Sequence, residues 1–204
     1  MDVLSPGTAD SVIFSRRSVR RYQPTSVPRP LIETLLTAAI WAPSAHNRQP
    51  WRFAVIESPE QKEHLARAMG LQLRLDLAAD GVPVDVIEAD AGRSYSRITT
   101  APLIMLLALS MADMDSYPDD RRAAHEHTMA VQSVAMSGQN ILLMAQAHGL
   151  AACWMCAPLF CPAVVRAALD LPGDWEPQGM ITVGYPAETK SKTRHPIESR
   201  VIWR

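Results

Sequence analysis

The residue pattern predicts an α/β fold, a sheet with helices on both faces. Three observations carry it. Helical periodicity alternates with short apolar runs along the chain, Leu103–Leu109 is apolar without alternation, and the stretch from Thr128 to Ala147 holds no charge. A strand without alternation needs cover on both faces and belongs mid-sheet. A helix apolar on nearly every side needs cover all round, more than one small sheet provides, so the pattern also predicts a second subunit.

Taken in order, a short helix is expected from Thr8 to about Ser15. The next carries Pro30 in its first turn, sets Leu31, Leu35, Ala38 and Ala39 on one face, and closes at Pro43. Trp51–Ile56 is the first strand. Ser58-Pro59-Glu60-Gln61 combines an N-cap serine, a first-turn proline and a capping-box glutamine; the helix it starts points Leu65, Ala66, Met69 and Leu73 inward and ends at Asp80-Gly81-Val82-Pro83. A further helix occupies Val84 to about Tyr95. After Leu103–Leu109, the acidic segment from Asp113 to Asp120 is a surface loop, either a plain connection or a lid over a site. A long helix from His125 to His148 follows, with Gly138 permitting close approach of a neighbour and Gly149 capping its end. Leu150–Met155 returns as a strand, Pro162 begins a short helix through Leu169, Asp170–Pro177 is a loop, and Met180–Tyr185 is the last strand. The polar tail after Pro186 ends Val201-Ile202-Trp203-Arg204, an apolar terminus that predicts docking. There is no internal repeat or low-complexity tract, so residues 1–204 read as one domain with the tail, residues 186–204, laid onto the site or a partner.

A formal net charge of −1 over 204 residues gives no global attraction to nucleic acid or acidic membrane. The arginines between Arg16 and Arg21 are therefore a local anion site or a solvated charge run. Gln132, Ser133, Ser137, Gln139 and Asn140 place too many polar groups in the charge-free helix for lipid. The N-terminus shows no charged, apolar, then small-residue order, so the expected location is cytoplasmic. Cys153, Cys156 and Cys161 have the spacing of a metal or redox cluster, but on a strand Cys153 and Cys156 face opposite ways and no fourth ligand is evident. Small core residues are the expectation there. His125-Glu126-His127 has the composition of a general acid/base, but a satisfied cluster at a helix start is the expectation there.

The most informative stretch runs from Ala42 to Phe53. Pro43 and Pro50 bracket Ser44-Ala45-His46-Asn47-Arg48-Gln49, and Asn47 and Gln49 each carry a donor and an acceptor on a short stem. Such a loop is either an ordinary helix-to-strand connection or a reader of the edge of a flat heterocycle. Upstream stands Ser15-Arg16-Arg17-Ser18-Val19-Arg20-Arg21-Tyr22. Together the two resemble the FMN-dependent nitroreductase family, which opens with Arg-Arg-Ser-x-Arg and continues with Pro-Ser-x-x-Asn-x-Gln-Pro-Trp. The tail Lys192-Thr193-Arg194-His195-Pro196 is similar to the family's Lys-x-Arg-x-Pro.

That resemblance implies an α+β fold, a three-layer α/β/α sandwich with a mainly antiparallel sheet, built as an intertwined homodimer with FMN at the interface. It implies phosphate contacts from Arg16, Arg17, Ser18, Arg20, Lys192 and Arg194, and flavin contacts from Pro43, Ser44, Ala45, Asn47 and Gln49, the loop coming from the partner subunit. It places Ala152, Cys153 and Trp154 beneath the ring, acting mainly through backbone groups. The family's flavin-edge asparagine between the first strand and the long helix is missing, and Arg74 or Gln72 is the substitute. No catalytic side chain and no metal is implied: the flavin carries the chemistry. NADH or NADPH is the implied donor, and a nitroaromatic, quinone or enoyl compound the small-molecule acceptor.

From residue 74 onward a narrower similarity emerges. Arg74-x-Asp76-Leu77, Asp80-Gly81-x-Pro83, Ser116-Tyr117-Pro118-Asp119, Glu126-His127-Thr128-Met129, Cys153-Trp154 and Asp170-Leu171-Pro172-x-Asp174-Trp175-Glu176-Pro177 resemble the C-terminal flavin domain of the bifunctional ligase of deazaflavin biosynthesis. This implies a stand-alone reductase of a dehydro precursor as the alternative. A flavin-binding protein without turnover is the third expectation.

Overall fold

A computed structural model describes residues 6–204, with side chains from residue 9 onward. Helices α1 (Pro6–Ser15) and α2 (Arg29–Ile40) precede strand β1 (Trp51–Ile56); α3 (Pro59–Ala79) and α4 (Val84–Thr99) form a helical hairpin before β2 (Leu103–Leu109). The long α5 (Asp120–Ala147), β3 (Ala151–Met155), α6 (Pro162–Ala168) and β4 (Glu176–Gly184) complete the chain, apart from short 3-10 turns at Ala45–Asn47, Ala157–Phe160 and Ile197–Ser199. No helix among the described residues is long and apolar enough to cross a membrane.

The strands lie in the order β1-β2-β4-β3, and every neighbouring pair is antiparallel. Bare patterning pointed to an α/β sheet; the finding is α+β, as the family resemblance implied. Hydrophobic period tells which face of a strand is buried, not which way its neighbour runs. The mid-sheet placement of Leu103–Leu109 holds. Leu103, Met105, Leu107 and Leu109 face a core shared with α2 and α5, while Ile104 and Leu106 face a second core built with Leu65, Ala66 and Met69 of α3 and Val165 of α6. All seven β2 residues are buried, and each large one contributes about 1.5–3 kcal/mol of burial.

Several boundaries moved. Helix α5 begins at Asp120, ahead of the expected His125, because Asp119 caps it by accepting the Arg122 N–H at 2.9 Å. Helix α4 runs on to Thr99, and β4 starts at Glu176, drawn into pairing with β2 around a register shift at Leu107/Ala108. Ser58 caps α3 as expected, accepting the Gln61 N–H at 3.3 Å. The long helix buries one face, through residues such as Ala130, Val134 and Ile141, and not every side.

Gly138 does admit a close neighbour, and the neighbour is Trp154. A Cβ on Gly138 would stand 2.8 Å from Trp154 Cε3 and closer still to Cζ3, while a Cβ on Gly179 of β4 would stand 2.6 Å from Cζ2. The indole is thus a slab held between two glycines. The three cysteines are free, with Cys153 and Cys161 in the core and Cys156 exposed, so the core reading fits two of the three.

Candidate functional site

The arginine segment leaves α1 and lies beside β3. Ser18 forms a parallel bridge with Ala152, and the Val19 N–H donates to the Ala152 carbonyl at 3.3 Å. The Tyr22 hydroxyl reaches the Val19 carbonyl at 2.7 Å and Thr182 Oγ1 at 2.8 Å, fastening the segment to β4. The tail then turns back over it. Gln23 N–H donates to the Tyr185 carbonyl at 2.9 Å and Ala187 N–H to the Arg21 carbonyl at 3.0 Å. Glu188 Oε1 accepts the Arg20 N–H at 3.1 Å, and Lys190 Nζ stands 2.9 Å from Glu188 Oε2. Lys190 first, and the Arg20 N–H next, hold the Glu188 carboxyl below its ordinary range.

This stitching brings Arg16, Arg17, Ser18 and Arg20 against Lys190, Lys192 and Arg194 around a cradle of about 440 Å³. Six cations and one hydroxyl line it, a donor set suited to a phosphate dianion. Arg17 Nη1 is spent on the carbonyls of Phe14 and Arg16, at 2.6 and 2.8 Å, while its Nε is buried with no partner among the described residues. An orphaned donor in a basic cradle fits a bound anion.

Six of the sequence-expected residues are therefore brought together. Lys190 was missed, although an extended tail sets Lys190, Lys192 and Arg194 on one side at every second position.

The Pro43–Gln49 loop is not part of this chain's own cradle. It is tied elsewhere: Arg48 pairs with Asp115, Arg52 Nη2 donates to Asp113 Oδ2 at 2.6 Å, and Ser44 Oγ accepts the Gln49 N–H at 3.0 Å. His46, Asn47 and Gln49 all have left-handed backbones, with φ of 49°, 56° and 53°. Three non-glycine residues held this way within one short loop are costly, and such strain clusters at ligand clamps.

Ala152 and Cys153 are buried, and Trp154 packs between the glycines with its Nε1–H directed to Cys156 Sγ at 3.2 Å. The Ala152 carbonyl is engaged by Val19, and burial pushes the Cys153 thiol up. Arg74 is held by Glu88, Nε–Oε1 and Nη2–Oε2 both at 2.8 Å, and Gln72 by Asp76 at 2.7 Å. Both bonds lie on the helical hairpin, outside the cradle's lining. In the His125-Glu126-His127 cluster, Glu126 Oε1 accepts the Asp115 N–H at 3.1 Å and His127 Nε2 lies 2.9 Å from Glu176 Oε2, so two of its members bind the structure together.

Helices α1, α2 and α5 surround an apolar cavity of about 730 Å³ lined by Val12, Ile13, Trp41, Leu143 and Met144. Trp41 is 74% exposed and Phe14 72%.

An antiparallel sheet between helical layers, carrying a strapped cluster of cations, defines a class of protein that holds a phosphate-bearing group on an α+β sandwich. Comparison with known proteins gives the family. Residues 13–185 match the model of the Nitroreductase family. The chain is 30% identical over 221 residues to an NADH dehydrogenase of Thermus thermophilus, covering 96% of each, and 28% identical to a 5,6-dimethylbenzimidazole synthase of Rhodospirillum rubrum, covering 92% of this chain and 84% of that one. Among solved structures, a candidate nitroreductase from Desulfovibrio desulfuricans in complex with FMN superposes with a TM-score of 0.75 at 25% identity, covering 99% of this chain and 98% of that one. This chain belongs to the Nitroreductase family.

Proposed function

We propose that the chain is an FMN-dependent oxidoreductase that passes hydride from NADH or NADPH to a small organic acceptor of nitroaromatic, quinone or enoyl type. The observation that carries the reading is the convergence of Arg16, Arg17, Ser18 and Arg20 with Lys192 and Arg194 on one cradle. A phosphate there would meet planar guanidinium donors that do not titrate and a hydroxyl that does not compete for charge. The FMN-bound relative and the Thermus dehydrogenase support the choice of cofactor and donor. Bound FMN would supply the hydride chemistry; the chain's part is to hold, orient and shield it.

Each site would be completed by Pro43, Ser44, Ala45, Asn47 and Gln49 of the partner subunit, with Asn47 and Gln49 reading the flavin edge. The apolar cavity between α1, α2 and α5, lined in part by exposed Trp41, supports a homodimer seated on that face. The relatives' names span a dehydrogenase and a synthase, so family membership leaves the acceptor open.

Anaerobic addition of NADH or NADPH to the FMN-loaded chain tests the reading. Bleaching of the oxidised-flavin absorbance, restored by an acceptor, is expected; persistent absorbance under both donors overturns the reductase and leaves a flavin-binding protein. Sedimentation of the loaded chain as a monomer would overturn the shared site. The second reading, reduction of a deazaflavin precursor, rests on the segments from Arg74 to Pro177. Its support is weakened by the structural duties several of them perform, Asp119 as a helix cap and Asp174 as the acceptor of Ser110 Oγ–H at 2.6 Å. A two-mass-unit gain on the dehydro precursor would establish it.

A further inference from the structure

The left-handed backbones of His46, Asn47 and Gln49 raise the question of what holds them, because non-glycine residues stay in that region only where their surroundings over-determine them. Within the loop the ties are few. The Asn47 and Arg48 N–H groups donate to the Ser44 and Ala45 carbonyls at 3.0 and 2.9 Å, and the Gln49 N–H to Ser44 Oγ at 3.0 Å. The rest of the hold comes from the acidic segment that follows β2. Ser110 N–H donates to the Pro50 carbonyl at 2.9 Å, and Asp115 pairs with Arg48. Asp113 Oδ2 accepts Arg52 Nη2 at 2.6 Å, while Nη1 of the same guanidinium reaches the Gln49 carbonyl at 3.4 Å. Segment and loop are thus one braced unit.

The brace has a footing in the core. Glu126 of α5 is 1% exposed, its Oε1 accepts the Asp115 N–H at 3.1 Å, and its Oε2 has no partner among the described residues. Holding Asp115 is therefore its one hydrogen-bonding duty there. Glu126 lies on the same buried face of α5 as Ala130 and Val134, where a carboxylate costs more than an apolar side chain of similar size. What it adds is not burial energy but the position of Asp115. Met114, buried in the same core cluster as Ala42 and Trp51 at the two ends of the loop, fixes the segment from the neighbouring residue. The Arg48 and Asp115 side chains are 43% and 34% exposed, so their pairing contributes geometry more than stability.

We propose that Glu126 is a positioning residue for the flavin. It fixes Asp115, and Asp115 through Arg48, with Asp113 through Arg52, holds the amide loop in the shape in which Asn47 and Gln49 meet the flavin edge. The proposal rests on the reading above, in which this loop completes the partner's flavin site.

The test compares E126A, E126Q, D115N and N47A with the wild type by FMN titration, by visible circular dichroism of the bound flavin, and by the maximal anaerobic rate of flavin bleaching with whichever nicotinamide bleaches the wild type. E126A keeps the charges of the Arg48–Asp115 pair and removes the footing; E126Q removes the charge of Glu126 and keeps an oxygen to accept the Asp115 N–H. E126A and D115N are expected to change the dichroism in the same sense, to weaken FMN by about three- to fivefold, the scale of one partly exposed ion pair, and to slow bleaching by about tenfold, since small displacements cost rate more than binding. The double variant should be no worse than E126A, and E126Q should match the wild type within twofold. An E126A protein that melts earlier but keeps the parent's dichroism and bleaching rate is only structurally impaired and overturns the proposal, as does E126Q behaving like E126A. Should E126A fail to fold, D115N decides: parental dichroism, affinity and rate in that variant overturn the brace. N47A separates the two levels. If N47A leaves the bound flavin unchanged, the loop reading falls and the proposal with it; if N47A perturbs the flavin and D115N does not, only the proposal falls.

Discussion

The Tyr22 hydroxyl lies 2.8 Å from Thr182 Oγ1, and through this contact the arginine strap is sewn to β4 near its C-terminal end. The same oxygen is 2.7 Å from the Val19 carbonyl and 3.0 Å from that of Thr182. Burial of the phenol pushes its pKa well above the ordinary value. Folded Tyr22 therefore keeps its proton where the unfolded chain has begun to lose it. The resulting stability is complete below about pH 10 and is lost progressively as pH climbs from there toward the folded value. Tyr22→Phe should cost about 1–2 kcal/mol at neutral pH and flatten the alkaline fall, both read from urea midpoints across a pH series. A variant with the same alkaline slope as the wild type would show that Tyr22 does not govern it.

Trp154 between its two glycines makes a packing prediction. Gly138→Ala drives a methyl into the indole and should destabilise by about 1–3 kcal/mol. Combining it with Trp154→Leu should cost less than the sum of the two single changes, because the second removes what the first collides with. Strict additivity in the double-mutant cycle would contradict the sandwich.

Arg194 tests the cradle without touching the core. Its side chain is exposed and bonds only to the Thr193 carbonyl among the described residues, at 3.1 Å. Arg194→Ala should therefore leave the melting temperature of the flavin-free chain unchanged while weakening FMN by about 1.5–3 kcal/mol. Calorimetric titration at fixed salt separates this from a variant that binds FMN as the parent does.

Gln49, at φ 53°, tests whether the amide loop stores strain for function. Relief of a left-handed backbone favours glycine by about 1–2 kcal/mol, against about 0.4–1 kcal/mol from the freer unfolded chain. Gln49→Gly should thus stabilise by up to about 1 kcal/mol and slow turnover, since the amide proposed to read the flavin edge is gone. Faster turnover, or lower stability, would show that the loop's conformation serves neither purpose.

The elements were legible because local chemistry sets them. Trp51–Ile56 and Leu103–Leu109 appear with the bounds that alternation and its absence predict, and Ser58 caps α3 as its spacing requires. The start of α5 was not, because Asp119 stands in an acidic run that composition alone reads as loop, and only the Arg122 N–H turns it into a cap. Nor was the role of Gly179 legible: nothing in residues 176–184 announces that an indole from β3 will lie across it. The left-handed backbones of His46, Asn47 and Gln49 were also hidden, since none is the glycine that usually marks such a turn.

By itself the sequence determined which stretches are helical or extended, apart from some of their ends, and that Leu103–Leu109 lies within the sheet, and it marked out the two cationic segments. Only the tertiary structure decided the strand order β1-β2-β4-β3, and that Arg20 and Glu188, 168 residues apart, meet at 3.1 Å so that strap and tail close one cradle. The physical reason is range. Periodicity and capping act over a few residues, whereas strand order and the union of the two cationic segments depend on the folded sheet, which brings Tyr22 and Thr182 into contact.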